Sequence, residues 1–170
     1  MENLNKDNII KTPREKYWNR MIDNKYLLIV EKKYLFHQIR REHIFRMVLG
    51  VLSSSAVAAW AIWQKFPLLW AFMVAVCQVL SVIYDSMPYK TRIKELEKQE
   101  YELELIYNRM EKDWYSIDDM EDTEILNLYY NYVSEWSKAQ YNYDSSDDPT
   151  ANEKIAAEAE TETEAYFEEF

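Results

Sequence analysis

The sequence predicts an all-α membrane protein, in which a two-helix transmembrane hairpin is joined to long cytoplasmic helices that form a bundle. The chain has one glycine and four prolines in 170 residues, whereas a β-rich fold with tight turns normally uses more of both. Two uncharged apolar blocks lie in the middle of the chain, and charged stretches with helical periodicity flank them. Charge is also segregated, because residues 1–46 carry a net +5 and residues 113–170 carry a net −15.

The first predicted element is a cytoplasmic amphipathic helix within residues 1–46. Residues 1–12 form a polar, loosely ordered start, after which Thr12 can cap a helix whose first residue is Pro13. From Arg14 to Glu42 there is no glycine or proline, and apolar residues recur among the charged ones. The recurring apolar positions are Trp18, Met21, Ile22, Tyr26, Ile29, Phe36 and Ile39.

Residues 47–84 predict the transmembrane hairpin. Its two blocks, Met47–Trp63 and Phe66–Tyr84, carry no formal charge, and each falls within the ~17–25 residues that cross a bilayer as a helix. Gln64–Lys65 forms the turn, and aromatic residues suited to a membrane interface cluster around it. The alternative is a pair of buried helices in a soluble bundle, but such helices usually keep a polar face that these blocks nearly lack.

Flanking charge predicts how the hairpin is oriented. Three arginines precede the first block and three basic residues follow the second, whereas Lys65 alone lies at the turn. Because cytoplasmic loops carry an excess of Lys and Arg, we expect a multi-pass protein with both termini in the cytoplasm. Cys77 is the one cysteine, which excludes an intramolecular disulfide and agrees with a reducing cytoplasm.

Residues 85–143 predict further cytoplasmic helices. Apolar positions step by three and four residues with a gap at Glu100, which is typical of a coiled-coil or bundle seam that needs a partner helix. The first amphipathic helix could supply that partner within one chain. A break at SIDDMEDTE follows, where Asp118 and Glu121 can form a capping box for a Tyr- and Trp-rich helix from Met120 to Tyr143. The seam positions are Ile93, Leu96, Leu103, Tyr107, Met110, Trp114 and Ile117.

Residues 144–170 predict an acidic tail that begins with the linker DSSDDPT. The remainder is rich in Ala and Glu, so we expect it to be mobile, although its composition permits a helix as far as its aromatic end. The tail can be either a gate or a solubilising extension.

The residues that would carry enzymatic chemistry are missing from the sequence. The one glycine, Gly50, lies in an apolar block, so no phosphate-binding glycine-rich loop can form. His37 and His43 are six residues apart and have no Cys or paired carboxylate at a metal-ligand spacing. We therefore expect no enzyme, no cofactor and no metal.

The apolar blocks carry a polar stripe. In the second block Gln78 and Ser81, with Asp85 just beyond it, share one helical face, and in the first block Ser54 lies in a repeat of small residues that lets helices approach closely. Helix packing can account for the serines, but an amide in mid-membrane needs a partner or water. A symmetric homo-oligomer, with a tetramer as the favoured state, would supply both, and its pore would be lined by Ser54, Gln78, Ser81 and Asp85.

Six basic residues form a collar at the cytoplasmic ends of the hairpin. Membrane topology and anionic lipid headgroups can explain them. The sharper interpretation is a site for an anionic nucleotide or short oligonucleotide, with Tyr34, Phe36 and Tyr89 near enough in sequence to stack on bases. The acidic tail argues against general binding of duplex nucleic acid. The collar consists of Arg40, Arg41, Arg46, Lys90, Arg92 and Lys94.

This layout resembles the SLATT-type two-transmembrane effectors of bacterial nucleotide-signalling anti-phage systems. The likeness covers roughly residues 17–114 and rests on EKKYLFHQIRREHIFR, the tight hairpin and KTRIKELEKQEYELELIYNRM. It implies a pore-forming effector in the bacterial inner membrane. A partner nucleotidyltransferase would make the nucleotide signal that opens the pore, and the resulting depolarisation would arrest growth of the infected cell.

Two other functions remain open from the sequence. One is a membrane-anchored helical scaffold that conducts nothing and assembles through the seam. The other is a holin-like lysis protein, although holins seldom need about 100 residues of structured cytoplasmic helix.

Overall fold

The computed structural model describes residues 11–58, 67–86, 89–141, 150 and 152–168, and within these the chain is helical with no strand, so the all-α prediction is confirmed. Near and inside the predicted hairpin the backbone alone is described for some residues, namely 52–58, 67, 69–70, 73, 83–86 and 89–90. The elements are α1 (Pro13–Ala58), α2 (Pro67–Ser86), α3 (Tyr89–Trp114), a 3-10 turn (Ile117–Asp119), α4 (Asp122–Tyr141) and α5 (Glu153–Glu168).

The chain divides into two compact units. Unit 1 contains the described residues up to Tyr34 and those from Glu95 onward, and unit 2 contains Leu35–Lys94. Helices α1 and α3 contribute residues to both units, whereas α2 belongs to unit 2 alone.

The start of α1 is the predicted one, with Pro13 as its first residue. Thr12 and Glu15 form a reciprocal capping box: the Thr12 hydroxyl accepts from the Glu15 N–H at 3.2 Å, and the Glu15 carboxylate accepts from the Thr12 N–H at 2.8 Å. The helix then continues without interruption to Ala58. The amphipathic segment and the described part of the first apolar block are therefore one helix.

The core of unit 1 lies among α1, α3 and α4. Tyr17 and Met21 of α1, Leu103 and Met110 of α3, and Trp136 of α4 are all fully buried in one cluster. Stacked and edge-on aromatic contacts extend this cluster toward the end of α3. The bundle is thus closed by large side chains that leave little room for rearrangement.

The predicted seam is confirmed, because five of its seven positions are buried and the other two are half-buried. Six of the seven lie on α3, and the last, Ile117, lies in the 3-10 turn that follows. Its partner is α1 of the same chain, whose Tyr17 hydroxyl donates to the Met110 carbonyl at 2.8 Å. The seam therefore does not require a second subunit. The buried seam positions are Leu96, Leu103, Tyr107, Met110 and Ile117.

The predicted capping box of Asp118 and Glu121 is wrong. Asp118 lies in the 3-10 turn and forms an ion pair with Arg14, and α4 begins later, at Asp122. The physical reason is Ile117, which is buried in the core and holds the chain in a tight turn before α4 can start. The main-chain carbonyl of Glu121 accepts the first hydrogen bonds of α4.

From Glu153 to Glu168 the acidic tail is a helix rather than the mobile segment that composition predicts. In α5, Ile155 and Ala159 are buried against Ile29 and Val30 of α1. This burial offsets the conformational entropy that an isolated acidic segment would retain.

No helix among the described residues is both long and apolar enough to cross a membrane. The structure covers the two predicted spans only in part. Residues 59–66, with the Gln64–Lys65 turn and the aromatic residues beside it, lie outside the described residues, as do the side chains of 52–58 and 83–86.

Candidate functional site

Unit 2 has a surface rich in exposed apolar side chains. On α2, Leu68 is 86% exposed, Phe72 67% and Val82 66%, and Val51 on α1 is 65% exposed. Water-soluble domains rarely expose several large apolar side chains on one helix without a partner or a membrane to cover them. Unit 1 buries most of its large apolar side chains, so the two units differ in what they present to their surroundings.

The predicted polar stripe lies on this apolar surface. Gln78 and Ser81 are exposed on α2, and in the described part of the chain neither side chain makes a hydrogen bond. Val74, Cys77 and Leu80 of α2 are half-buried and three residues apart, and Val74 lies one helical turn before Gln78 on the same face. Gln78 therefore presents its amide within an apolar surface, and no described residue uses its N–H donors or its carbonyl acceptor.

The other two predicted pore-lining residues are placed by backbone alone. Ser54 lies in α1 and Asp85 lies in α2, one turn beyond Ser81, and the side chains of both lie outside the described residues. The grouping of all four residues around a pore therefore stays a prediction.

The basic collar belongs entirely to unit 2. Arg40 and Arg41 on α1 and Lys94 on α3 are exposed, and none of them forms an ion pair with another described residue. Arg46 is exposed and paired with Glu42 one helical turn earlier. Arg92 is half-buried, and the side chain of Lys90 lies outside the described residues.

One aromatic side chain near the collar is open to a ligand. Phe36 is 67% exposed on α1, one turn before Arg40 and on the same helical face. Tyr34 instead packs against the small cluster under α5 in unit 1, and the side chain of Tyr89 is not among those described. Of the two described side chains among the three aromatics predicted to stack on bases, Phe36 is the exposed one.

A polar layer that the sequence analysis missed interrupts the α1–α3 contact. The buried Gln99 donates from Nε2 to Oε1 of Glu31 at 3.1 Å, and Lys32 pairs with Glu100 at 4.0 Å. Burial, and then the nearby charge of Glu100, raise the pKa of Glu31 from its ordinary 4.5 to about 7. The gap in the seam at Glu100 was the sequence signal for this layer.

A second missed cluster surrounds Lys25. Its ammonium lies 3.5 Å from the ring centre of Tyr166 in α5 and 4.6 Å from that of Tyr107 in α3, a geometry that favours the cation. Burial nevertheless lowers the pKa of Lys25, more than the charges of Glu111 and Glu104 raise it. The cluster opens into a groove of about 370 Å³ among α1, α3 and α5. The sequence analysis missed it because residue 166 was assigned to a mobile tail.

Comparison with protein-family models, with curated proteins and with solved structures found no match for this chain.

Proposed function

We propose that this chain is a membrane effector of bacterial anti-phage defence. In this proposal it oligomerises into an ion-conducting pore that a nucleotide or short oligonucleotide opens, so that the membrane depolarises and growth stops. The observation that carries the proposal is the surface of α2, where large apolar side chains surround Gln78. The nucleotide signal and the defence role rest on the resemblance to SLATT-type effectors.

The physical argument starts from the environment that such a surface needs. Exposed Leu68, Phe72 and Val79 lose unfavourable contact with water when lipid or another helix covers them. Gln78 on the same helix gains nothing from lipid, because hydrocarbon offers its amide no hydrogen-bond partner. Copies of α2 arranged around an axis satisfy both demands, with apolar residues outward and Gln78 and Ser81 toward water or one another.

The collar supplies a reason for gating by an anion. Arg40, Arg41 and Lys94 carry exposed cationic groups without ion-pair partners among the described residues. A phosphate-bearing ligand binds such groups through charge-assisted hydrogen bonds, and Phe36 offers a ring for a base. Ligand binding there would act on α1 and α3, the helices that contribute to both units.

The experiment is planar-bilayer recording of the purified full-length protein, with cyclic dinucleotides and short oligoadenylates as candidate signals. We expect currents in the wild type and a several-fold lower conductance in Gln78→Leu, because the copies of α2 then lose the amide that would both pair them and line the pore. Val79→Leu, at the neighbouring exposed position, is the matched control and should conduct like the wild type. A wild type that stays silent with every ligand would refute the channel.

The non-conducting scaffold is the second candidate. Its predicted assembly surface was the seam on α3, and α1 of the same chain already occupies that seam. A scaffold would therefore have to assemble through another surface, and the exposed apolar side chains of unit 2 offer one. Liposome flux separates the two candidates, since a scaffold leaves the flux at background whether residue 78 is Gln or Leu.

A further inference from the structure

Helix α5 packs on the rest of unit 1 with few buried side chains. Its buried side chains are Ile155, Ala159 and Thr163, of which two are small. Ile155 and Ala159 join Ile29 and Val30 in a cluster separate from the main core. Ile155 is thus the one large apolar side chain of α5 that is buried among the described residues, and the partly buried Tyr166 and Phe167 pack on the edge of the main cluster.

Charged groups complete the contact along its edge. Lys33 of α1 pairs with Glu162 at 2.8 Å and with Glu158 at 3.8 Å, one helical turn apart on α5. The hydrogen bond with Glu162 is the largest cause that raises the pKa of Lys33. These side chains are partly exposed, so dissolved salt screens their attraction and each pair adds modestly to stability.

Aromatic side chains fix the other end of α5. The ring of Tyr166 covers the ammonium of Lys25, and its hydroxyl donates to Glu111 of α3. The ring of Phe167 meets Trp18 edge-on at 5.2 Å between centres. Helix α5 is thus held by Ile155 near its start and by Tyr166 and Phe167 near its end, and the small side chains of Ala159 and Thr163 are buried between them.

A contact of this kind opens at a lower free energy than a closed core does. Opening α5 requires separating Lys33 from two carboxylates, exposing Ile155 and removing the partly buried Tyr166 and Phe167 from the main cluster. Opening α4 exposes the fully buried Trp136. The helix beneath α5 is α1, which continues without interruption to Ala58 in unit 2.

We propose that α5 is a displaceable acidic latch on α1, held through Lys33, and that its docking restrains the opening of the pore. The restraint rests on the proposed function, whereas the docking itself does not. Release of α5 frees the surface of α1 around Ile29, Val30 and Lys33. The part of α1 around this surface can then change its packing while Tyr17 and Met21 keep their places in the core of unit 1.

The docking is tested by amide hydrogen exchange on the full-length protein in detergent. In Lys33→Glu, repulsion from Glu158 and Glu162 should speed exchange in residues 153–168 by about fivefold, while residues 103–110 of α3 keep wild-type rates. The swap Lys33→Glu with Glu158→Lys and Glu162→Lys restores opposite charges and should restore protection. Arg109→Glu, which breaks the 2.5 Å pair with Glu135 between α3 and α4, is the control and should leave α5 unchanged.

The restraint is tested by recording currents from the same four proteins. Lys33→Glu should raise the open probability several-fold without ligand, and the charge swap should return it to the wild-type value. Unchanged exchange of α5 in Lys33→Glu, or equal acceleration in α3, overturns the latch. Faster α5 exchange with unaltered currents, in a wild type that conducts, overturns the restraint alone. If no protein conducts, the proposed function and the restraint fall together, and exchange still decides the docking.

Discussion

Polar residues within the α1–α3 contact determine how these two helices align. Asn24 is fully buried and donates from Nδ2 to the Met110 sulfur at 3.5 Å, and Gln99 donates to Glu31 further along the same contact. Sliding one helix along the other would separate these pairs and leave amides buried without partners, which costs more than a displaced methyl group. The two hydrogen-bonded pairs, Asn24–Met110 and Gln99–Glu31, therefore favour one alignment of α1 along α3.

Glu31 makes the stability of unit 1 depend on pH. Its pKa is raised in the folded chain from 4.5 to about 7, so the folded state holds this proton more tightly than the unfolded state does. The stabilisation is therefore complete below about pH 4.5 and is lost as the pH rises through about 7. We expect Glu31→Gln, which keeps an oxygen for Gln99, to be more stable than the wild type by about 1–2 kcal/mol at pH 8.

Thermal unfolding of the full-length protein in detergent at pH 5 and pH 8 measures this difference. The two proteins should approach one another at pH 5, where Glu31 is protonated in the folded state. Glu97→Gln, which neutralises an exposed carboxylate on α3, is the control and should show no such convergence. An equal gain from Glu31→Gln at both pH values would contradict the assignment.

At the scale of elements, the aromatic side chains of α4 differ widely in how far they are buried. Trp136 is fully buried in the core, whereas Tyr130 on the same helix is 61% exposed. Tyr132 differs from both, because its ring is buried while its hydroxyl donates a hydrogen bond to Asp113 of α3 at 2.7 Å. Composition alone could not separate the three, since all are large aromatics within seven residues.

Truncating the buried aromatic should therefore cost far more than truncating the exposed one. We expect Trp136→Ala to lower the free energy of unfolding of unit 1 by about 3–5 kcal/mol, because it leaves a large cavity between α1, α3 and α4. Tyr130→Ala should change it by less than about 1 kcal/mol. Chemical denaturation followed by circular dichroism gives both values, and similar losses for the two variants would refute this packing of α4.

The acidic tail shows how far an element can depart from its composition. The Ala- and Glu-rich sequence permits a helix but contains too few apolar residues to predict where that helix would bind. Docking depends on Lys33 and Lys25, more than a hundred residues earlier, and on small side chains at the contact. Contacts between residues so far apart in the chain cannot be predicted from the sequence of residues 153–168 alone.

At the scale of the whole molecule, the two units should contribute differently to assembly. The seam of α3 is filled within the chain, whereas unit 2 exposes its apolar residues and Gln78. We expect Met110→Ala to destabilise unit 1 by about 2–4 kcal/mol and to leave the number of subunits in detergent unchanged. In the proposed assembly, Gln78→Leu should lower that number, because each amide would lose its partner in a neighbouring copy.

Light scattering coupled to gel filtration in a mild detergent measures both variants beside the wild type. A Met110→Ala protein that remains folded but falls to a monomer would mean that the seam, not α2, joins the subunits. A wild type that is itself monomeric would contradict assembly through either surface.

The sequence by itself determined the helical class, the start of α1 at Thr12 and Pro13, and the buried seam of α3. It could do so because capping and periodicity act within a few turns of one helix. The tertiary structure decided that α1 occupies this seam, that Gln99 and Glu31 meet at its gap, and that α5 docks near Lys33. Those outcomes depend on side chains that lie tens of residues apart in the chain and become neighbours only when the helices pack.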